Sequence, residues 1–422
     1  MGRTYRRRRL RIKAPGTLEN TTDCVQLKQW LARHGWKNET QLQLRDFMYT
    51  GRGVCSRKSI NVNDILISVP YQLMVTYKTI QTDLLSHMPP LCEPLKIQEL
   101  LAIFLMIEVK NKKSFWKEYI ESLPQDLPAL PWLTTESEMS FYPNDIQKIS
   151  KQCYENYKDG LERVKKSLPD WGFDDESFKW AYVLVNTRAV YVDPNELKIE
   201  GDYSKALLDE PNMALCPFLD MFNHDFNANT EAFLDYQDRQ LVYQLRTLSE
   251  YKKYDQIFIS YGPHNNCKLL MEYGFFIPGN VYDVVDFNMG MVMEVLGVQI
   301  DQRQYKFIKE HSLDEKLYIG YDTLSFNLKG FIFVCLSNNC KNFSEVIFGD
   351  RYPQGFSLRL KSIADELLDY KIILYKEDCE KFRSFEGSDT TNNRCTSIIM
   401  NFLEHRVKFI LDLKKMFAGE AV

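Results

Sequence analysis

Two short stretches hold the residue types with which a protein can move protons and grip polar ligands. They are LCPFLDMFNH at 215–224 and IFISYGPHNNCKLLMEYGFF at 257–276. In the first, Asp220 stands three residues before the Asn223-His224 pair. A carboxylate and an imidazole at such spacing can serve as acid and base or as ligand contacts. In the second, a β-branched and aromatic run ends at Tyr261-Gly262, and a helical turn separates it from Tyr273-Gly274-Phe275. Taken singly, each has a plain alternative: a strand-ending turn for Asn223-His224 and Tyr261-Gly262, a core aromatic for Tyr273.

Other templates for chemistry are absent from the sequence. It has no Walker loop, Gly-x-Ser-x-Gly elbow, His-Glu-x-x-His helix or kinase signature. The 6 histidines are dispersed, and the 10 cysteines contain no Cys-x-x-Cys pair. The expectation is therefore no metal site, with buried or free thiols in a reducing compartment. Cys216 and Cys267 lie near the polar motifs without an obvious base. A net charge of −4 argues against a polyanion binder as a whole. Residues 3–13 (RTYRRRRLRIK) are mostly Lys and Arg with no acidic residue. Such a run suits a localisation signal or a solvated tail, and no specific nucleic-acid partner is expected. No apolar run is long enough for a membrane span, so no membrane partner is expected either.

The elements that must position these residues follow from periodicity. Residues 1–20 are expected as a basic disordered tail. A helix is expected from an N-cap at Asp23, with Leu27, Trp30 and Leu31 on one face, stopping near Gly35. Residues 50–70 suit β structure with turns around Gly51-Arg52-Gly53 and Asn61–Asp64. From about 84 to 185 the pattern is helical, with Ile97, Leu100, Leu101, Phe104 and Leu105 on one stripe. Phe178–Asn186 suits a buried helix, and Asn186-Thr187-Arg188 leads out of it. A basic residue there needs a partner, because an unpaired buried charge is costly. Residues 192–212 suit a polar loop. Residues 232–236 and 241–246 suit a hairpin, with Gln256–Tyr261 as a third strand following at once. Beyond Pro278, a few strand-like residues at Val281–Asn288 give way to helices, and stripes of Leu360, Ile363, Ala364, Leu367 and of Ile399, Phe402, Leu403, Ile410, Leu413 predict an all-helical domain, with a polar loop at 387–393.

Five motifs then occur in a recognisable order: GRGV at 51–54, NTRAV at 186–190, DMFNH at 220–224, Tyr261-Gly262, and EYGF at 272–275. In this order, with a helical block between two β-rich parts, the chain resembles the SET-domain lysine methyltransferases, in the branch related to the Rubisco large-subunit methyltransferase. The resemblance spans 21–280 by motif and 281–422 by helical character. It implies an α+β SET fold with small sheets and a pseudoknot, split by a helical insert at about 84–185. An all-helical C-terminal substrate-binding domain at 281–422 would follow.

The resemblance also implies roles. Thr50, Gly51, Arg52 and Gly53 would wrap S-adenosyl-L-methionine through their backbone, and Arg188 would meet its carboxylate. Asn223 and His224 would hold its amino group and adenine region. Tyr273 and Phe275 would line the cofactor and lysine pocket, Thr187 and Asp220 would shape the lysine tunnel with Phe275, and Tyr261 would be the catalytic tyrosine. The partner would be a protein, a histone tail or another lysine-bearing chain, met in nucleus and cytoplasm. Members of the branch also methylate a histidine, and a SET-fold module that binds without turnover is a further alternative. The absence of a cysteine-rich segment after Phe275 sets the chain apart from zinc-bearing histone methyltransferases.

Overall fold

The computed structural model describes residues 21–418 except 88–89, 173, 196–202, 204, 238, 322–323, 338–339, 341 and 387–392. The basic run at 3–13, most of the 387–393 loop and part of the 192–212 loop lie outside the described residues. The chain divides into two compact units: residues up to 128 with 151–263, and residues 129–150 with 264–422. The division falls at Pro263 rather than near 280, and it gives part of the helical block to the second unit.

The first unit opens with helix α1 (Thr22–Arg33), whose buried face is Cys24, Leu27, Trp30 and Leu31. Asp23 is not its cap: Thr21 holds that position without a side-chain bond, and Asp23 lies in the first turn. There its charge favours the exposed N–H groups of the helix end. Strands β1 (Leu42–Phe47), β2 (Gly51–Ser56) and β3 (Ile65–Pro70) follow. The helical block comprises α2 (Tyr77–Asp83), α3 (Ile97–Lys110), α4 (Lys117–Ser122), α5 (Asn144–Ser167) and α6 (Asp175–Arg188). The stripe foreseen on α3 is buried. Its Glu99 is buried too, and Arg163 satisfies it through Nε at 3.1 Å and Nη2 at 2.5 Å.

Short strands β4 (Val190–Tyr191) and β5 (Met213–Ala214) pair with each other. A 3-10 turn at Leu219–Met221 leads into β6 (Asn223–His224). The hairpin is present as β7 (Thr230–Gln237) and β8 (Gln240–Thr247), followed by β9 (Gln256–Ile259). The third strand does not extend the hairpin. One sheet runs β3-β8-β7, while β9 joins the other, β1-β2-β9-β6. There β9 is antiparallel to β2 (Val54↔Ile257) and parallel to β6 (Asn223↔Phe258, His224↔Ile259). A short strand with Ile257 and Ile259 buried takes the partner that covers them, and that partner is remote in sequence.

The second unit contains α7 (Asn266–Tyr273), ended by Gly274 at φ +76°, and two long helices, α8 (Phe356–Glu386) and α9 (Asn393–Ala418). The stripes foreseen on α8 and α9 are buried. Shorter helices lie between α7 and α8. The all-helical expectation needs one amendment. Val284–Phe287 and Leu317–Gly320 form a two-stranded antiparallel ribbon. Residues 129–150 belong here because Trp132 Nε1 donates to the Met271 carbonyl at 3.0 Å and Lys371 Nζ meets Asp145 at 2.7 Å.

Candidate active site

The tip of the β1–β2 hairpin brings Thr50 to Gly53 beside β6 and β9. Gly51 has φ +65°, a conformation a side chain rarely adopts. At Gly53 a Cβ would lie 2.5 Å from Gln256 Nε2, 2.8 Å from Asn223 Nδ2 and 3.1 Å from the Phe47 ring. Only glycine lets the amides approach so closely. Asn223 Nδ2 donates to the Arg52 carbonyl at 2.9 Å, and Gln256 Nε2 donates to Thr50 Oγ1 at 2.9 Å. The glycine turn is thus tied to DMFNH and to β9.

The turn before Asn223 is strained. Phe218 is fully buried and sits at φ +70°, ψ −37°, an uncommon state for a bulky residue. It turns the chain so that Asp220 points inward. The Asp220 side chain is completely buried and accepts at Oδ2 from Arg188 Nη1 at 3.2 Å and from Tyr119 Oη at 3.0 Å. Arg188 also donates to the Asp220 carbonyl at 3.0 Å. Asp220 Oδ1 has no hydrogen-bond donor among the described residues. Burial pushes the carboxyl above its ordinary range, against the pull of Arg188, Tyr119 and Arg52. Arg52 and Arg188 both approach the Met221 sulfur, at 3.9 and 3.8 Å.

Beyond β6, Tyr261 Oη donates to the Phe222 carbonyl at 2.7 Å, and its ring stacks on His224 with centroids 5.1 Å apart. The Tyr261 N–H donates to His224 Nδ1 at 3.1 Å. Because a backbone N–H can only donate, Nδ1 is the acceptor and the neutral ring carries its proton on Nε2. The 3.4 Å approach of Nδ1 to the Ile259 carbonyl is then a contact between two acceptors.

The first unit therefore brings together Thr50, Gly51, Arg52, Gly53, Arg188, Asp220, Asn223, His224 and Tyr261. Thr187 is adjacent in sequence, but its hydroxyl donates to its own helix, to the Val183 carbonyl at 2.9 Å. Tyr273 and Phe275 belong to the second unit, with ring centroids 6.0 Å apart. Burial, with Glu272 nearby, pushes the Tyr273 phenol up to about 12, so it is a neutral hydroxyl. Arg188 was expected to face a ligand carboxylate, and Asp220 to shape a lysine tunnel. In the structure the partly exposed Arg188 and the buried Asp220 carboxylate form an ion pair at 3.2 Å.

Residues 51–262 match the SET domain family. The chain belongs to the SET domain family. The match begins at Gly51 and ends beside Tyr261, so it takes in the first-unit constellation apart from Thr50. Among curated proteins, the chain is 29% identical to SET domain-containing protein 4 of Artemia parthenogenetica, over 92% of this chain and 96% of that protein. That name is the one the motif string resembles within the branch. It is 24% identical to the ribosomal lysine N-methyltransferase set11 of Schizosaccharomyces pombe, over 67% of each chain. To the actin-histidine N-methyltransferase of Dasypus novemcinctus it is 27% identical, over 63% of this chain and 44% of that protein. A solved structure of the SET domain of LSMT bound to methyllysine and AdoHcy superposes with TM-score 0.62 at 17% identity, covering 94% of this chain and 92% of that one. Rubisco LSMT bound to AdoMet gives TM-score 0.61 at 17% identity, with the same coverage. These likenesses show that the fold of the chain matches that of LSMT over 94% of its length, with the SET domain at residues 51–262.

Sequence reasoning missed Tyr119, Gln256 and the Phe222 carbonyl as members of this SET site. Tyr119 lies in the apolar helical insert, and nothing in its neighbourhood of sequence marks it. Gln256, the first residue of β9, carried a weak signal as a polar residue opening a buried strand.

Proposed function

We propose that this chain is an S-adenosylmethionine-dependent protein methyltransferase that places the methyl group on the ε-amine of a lysine. The observation that carries the reading is Tyr261. Its hydroxyl hydrogen is committed to the Phe222 carbonyl at 2.7 Å. Toward an amine the phenolic oxygen can therefore act only as an acceptor, which orients the amine nitrogen without removing its proton.

The residues present suit the cofactor. The cradle at Gly53, which a single Cβ would fill, sets backbone close to the amides of Asn223 and Gln256. Thr50 to Gly53, Asn223 and His224 would hold the cofactor there. When bound, S-adenosylmethionine supplies an electrophilic methyl group on a sulfonium. Methyl transfer is an in-line displacement, so the chain contributes chiefly by positioning. A lysine must first lose its proton, which from a reference pKa of about 10.4 costs about 4.6 kcal/mol at pH 7. An apolar channel beside the cationic sulfonium would lower an amine pKa by desolvation and like charge. Tyr261 then orients the neutral amine. A carboxylate in its place would stabilise the unreactive ammonium.

Lysine as the acceptor is supported by the lysine-methylating relative of fission yeast and by the methyllysine complex of LSMT. The protein partner is then a histone tail or another lysine-bearing chain. Residence in nucleus and cytoplasm is proposed on the basic run at 3–13. Histidine as the acceptor is the second reading, supported by the actin-histidine N-methyltransferase relative.

Calorimetry with S-adenosylmethionine tests the cofactor. The wild type is expected to bind and Asn223→Ala to bind weakly. Absence of binding to the wild type sinks the reading. Tyr261→Phe is expected to bind the cofactor normally and to lose transfer of radiolabelled methyl onto lysate protein. Mass spectrometry of the labelled protein then separates lysine from histidine.

A further inference from the structure

Helix α4 reaches the site at two points from within the inserted helical block. Tyr119, completely buried, donates to Asp220 Oδ2 at 3.0 Å, and the Ser122 carbonyl accepts from Arg52 Nη1 at 2.8 Å. Ser122 Oγ donates to the Tyr119 carbonyl at 2.6 Å, which ties the two contacts together within the helix. One short helix thus holds both the glycine turn and Asp220 in the 3-10 turn that leads into β6. The groups facing Asp220 are Arg188 from α6, Tyr119 from α4, Arg52 from β2 and Cys216 from the preceding loop. Burial first and Asp220 second push the Tyr119 phenol well above its ordinary value. Burial and Asp220 likewise keep the Cys216 thiol neutral.

We propose that Tyr119 is a positioning residue of the site, fixing the plane and the charge of the Asp220 carboxylate against Arg188, so that the helical insert is part of the site's working parts. Oδ2 takes both donors, from α4 and from α6. That leaves the carboxylate one rotamer. It also keeps Asp220 ionised in a place where burial opposes the charge. The catalytic consequence rests on the methyltransferase reading; the coupling of Tyr119 to Asp220 does not.

Tyr119→Phe removes the hydroxyl and keeps the ring. The sign of the effect on stability follows from linkage. Losing a donor raises the folded pKa of Asp220 further, so the variant loses stability as pH rises through that value and keeps it below the ordinary carboxylate range. Denaturant unfolding at pH 4 and pH 7 should therefore show a larger penalty for Tyr119→Phe at pH 7. In an Asp220→Asn background the penalty should be the same at both. Equal penalties at both pH values in the wild-type background overturn the proposal. For catalysis, transfer of labelled methyl onto bulk lysate protein should show its acid limb moved to higher pH, by up to about one unit. A uniform fall with the limb unmoved also overturns it. A wild type that neither binds S-adenosylmethionine nor transfers methyl sinks the functional reading alone, because the unfolding pair still decides the role of Tyr119.

Discussion

Each unit buries an aspartate beside an arginine, and the two carboxyls are displaced in opposite directions. Asp220, in the first unit, is pushed up by burial. Asp283, in the second, is also opposed by burial, but Arg406, His405 and Asn266 together hold it below its ordinary range. Both are almost inaccessible to solvent, so depth does not separate them. The number of donors does. Asp283 Oδ1 accepts from Arg406 Nη1 at 3.0 Å and from the Asn266 and Val284 N–H groups at 3.2 and 3.1 Å. Its Oδ2 accepts from Asn266 Nδ2 at 2.9 Å, with His405 Nε2 at 3.5 Å. Among the described residues Asp220 has two side-chain donors, both on one oxygen. The satisfied carboxylate is scaffolding: it ties the start of α7 to α9. The under-satisfied one sits among the candidate catalytic residues, where perturbed carboxylates concentrate.

The comparison can be broken most directly at Arg406. Arg406→Ala leaves Asp283 buried with its charge unpaired and should cost about 3–5 kcal/mol in denaturant unfolding. A loss near zero would mean that the second network is not structural. Asp220→Asn should change stability by less than about 1 kcal/mol, since it removes a charge that burial already disfavours while weakening the hold on Arg188. It should nevertheless abolish most methyl transfer. Equal stability losses for the two changes would erase the distinction.

A pH series sharpens it further. The folded pKa of Asp283 is depressed, so its contribution is present above the unfolded value of about 3.9 and is lost as pH falls through the folded value. The folded pKa of Asp220 is raised, so its contribution is full below about 3.9 and is lost as pH rises through the folded value. Wild type minus Asp283→Asn should therefore shrink on acidification, and wild type minus Asp220→Asn should shrink on going from pH 4 to pH 7. Tyr261→Phe should also cost little stability, about 1 kcal/mol for one hydrogen bond to a carbonyl.

Much of this was legible in the residues themselves. The stripes on α3, α8 and α9 are local periodicities, so their helices and buried faces could be read directly. The five motifs carried the family because their order survives any change in the chain between them. Gly51 and Gly53 were legible as a turn, though a turn alone does not say what it approaches. What the sequence left open was pairing at a distance. β9 follows the β7–β8 hairpin directly yet pairs with β2 and β6, because covering Ile257 and Ile259 outweighs the convenience of a neighbouring strand. Val284–Phe287 pairs with Leu317–Gly320 across intervening helices, a partner that no local pattern names.

The sequence by itself determined the types of residue at the site and the order in which they occur, since both are properties of the chain. Tertiary structure alone decided that Asp220 is the counter-charge of Arg188, that Tyr119 donates to it, and that the Tyr261 hydroxyl is committed to the Phe222 carbonyl. Each of those depends on the direction of a hydrogen bond between groups from different elements. Such a direction exists only after burial has removed the water that would otherwise have served every one of them.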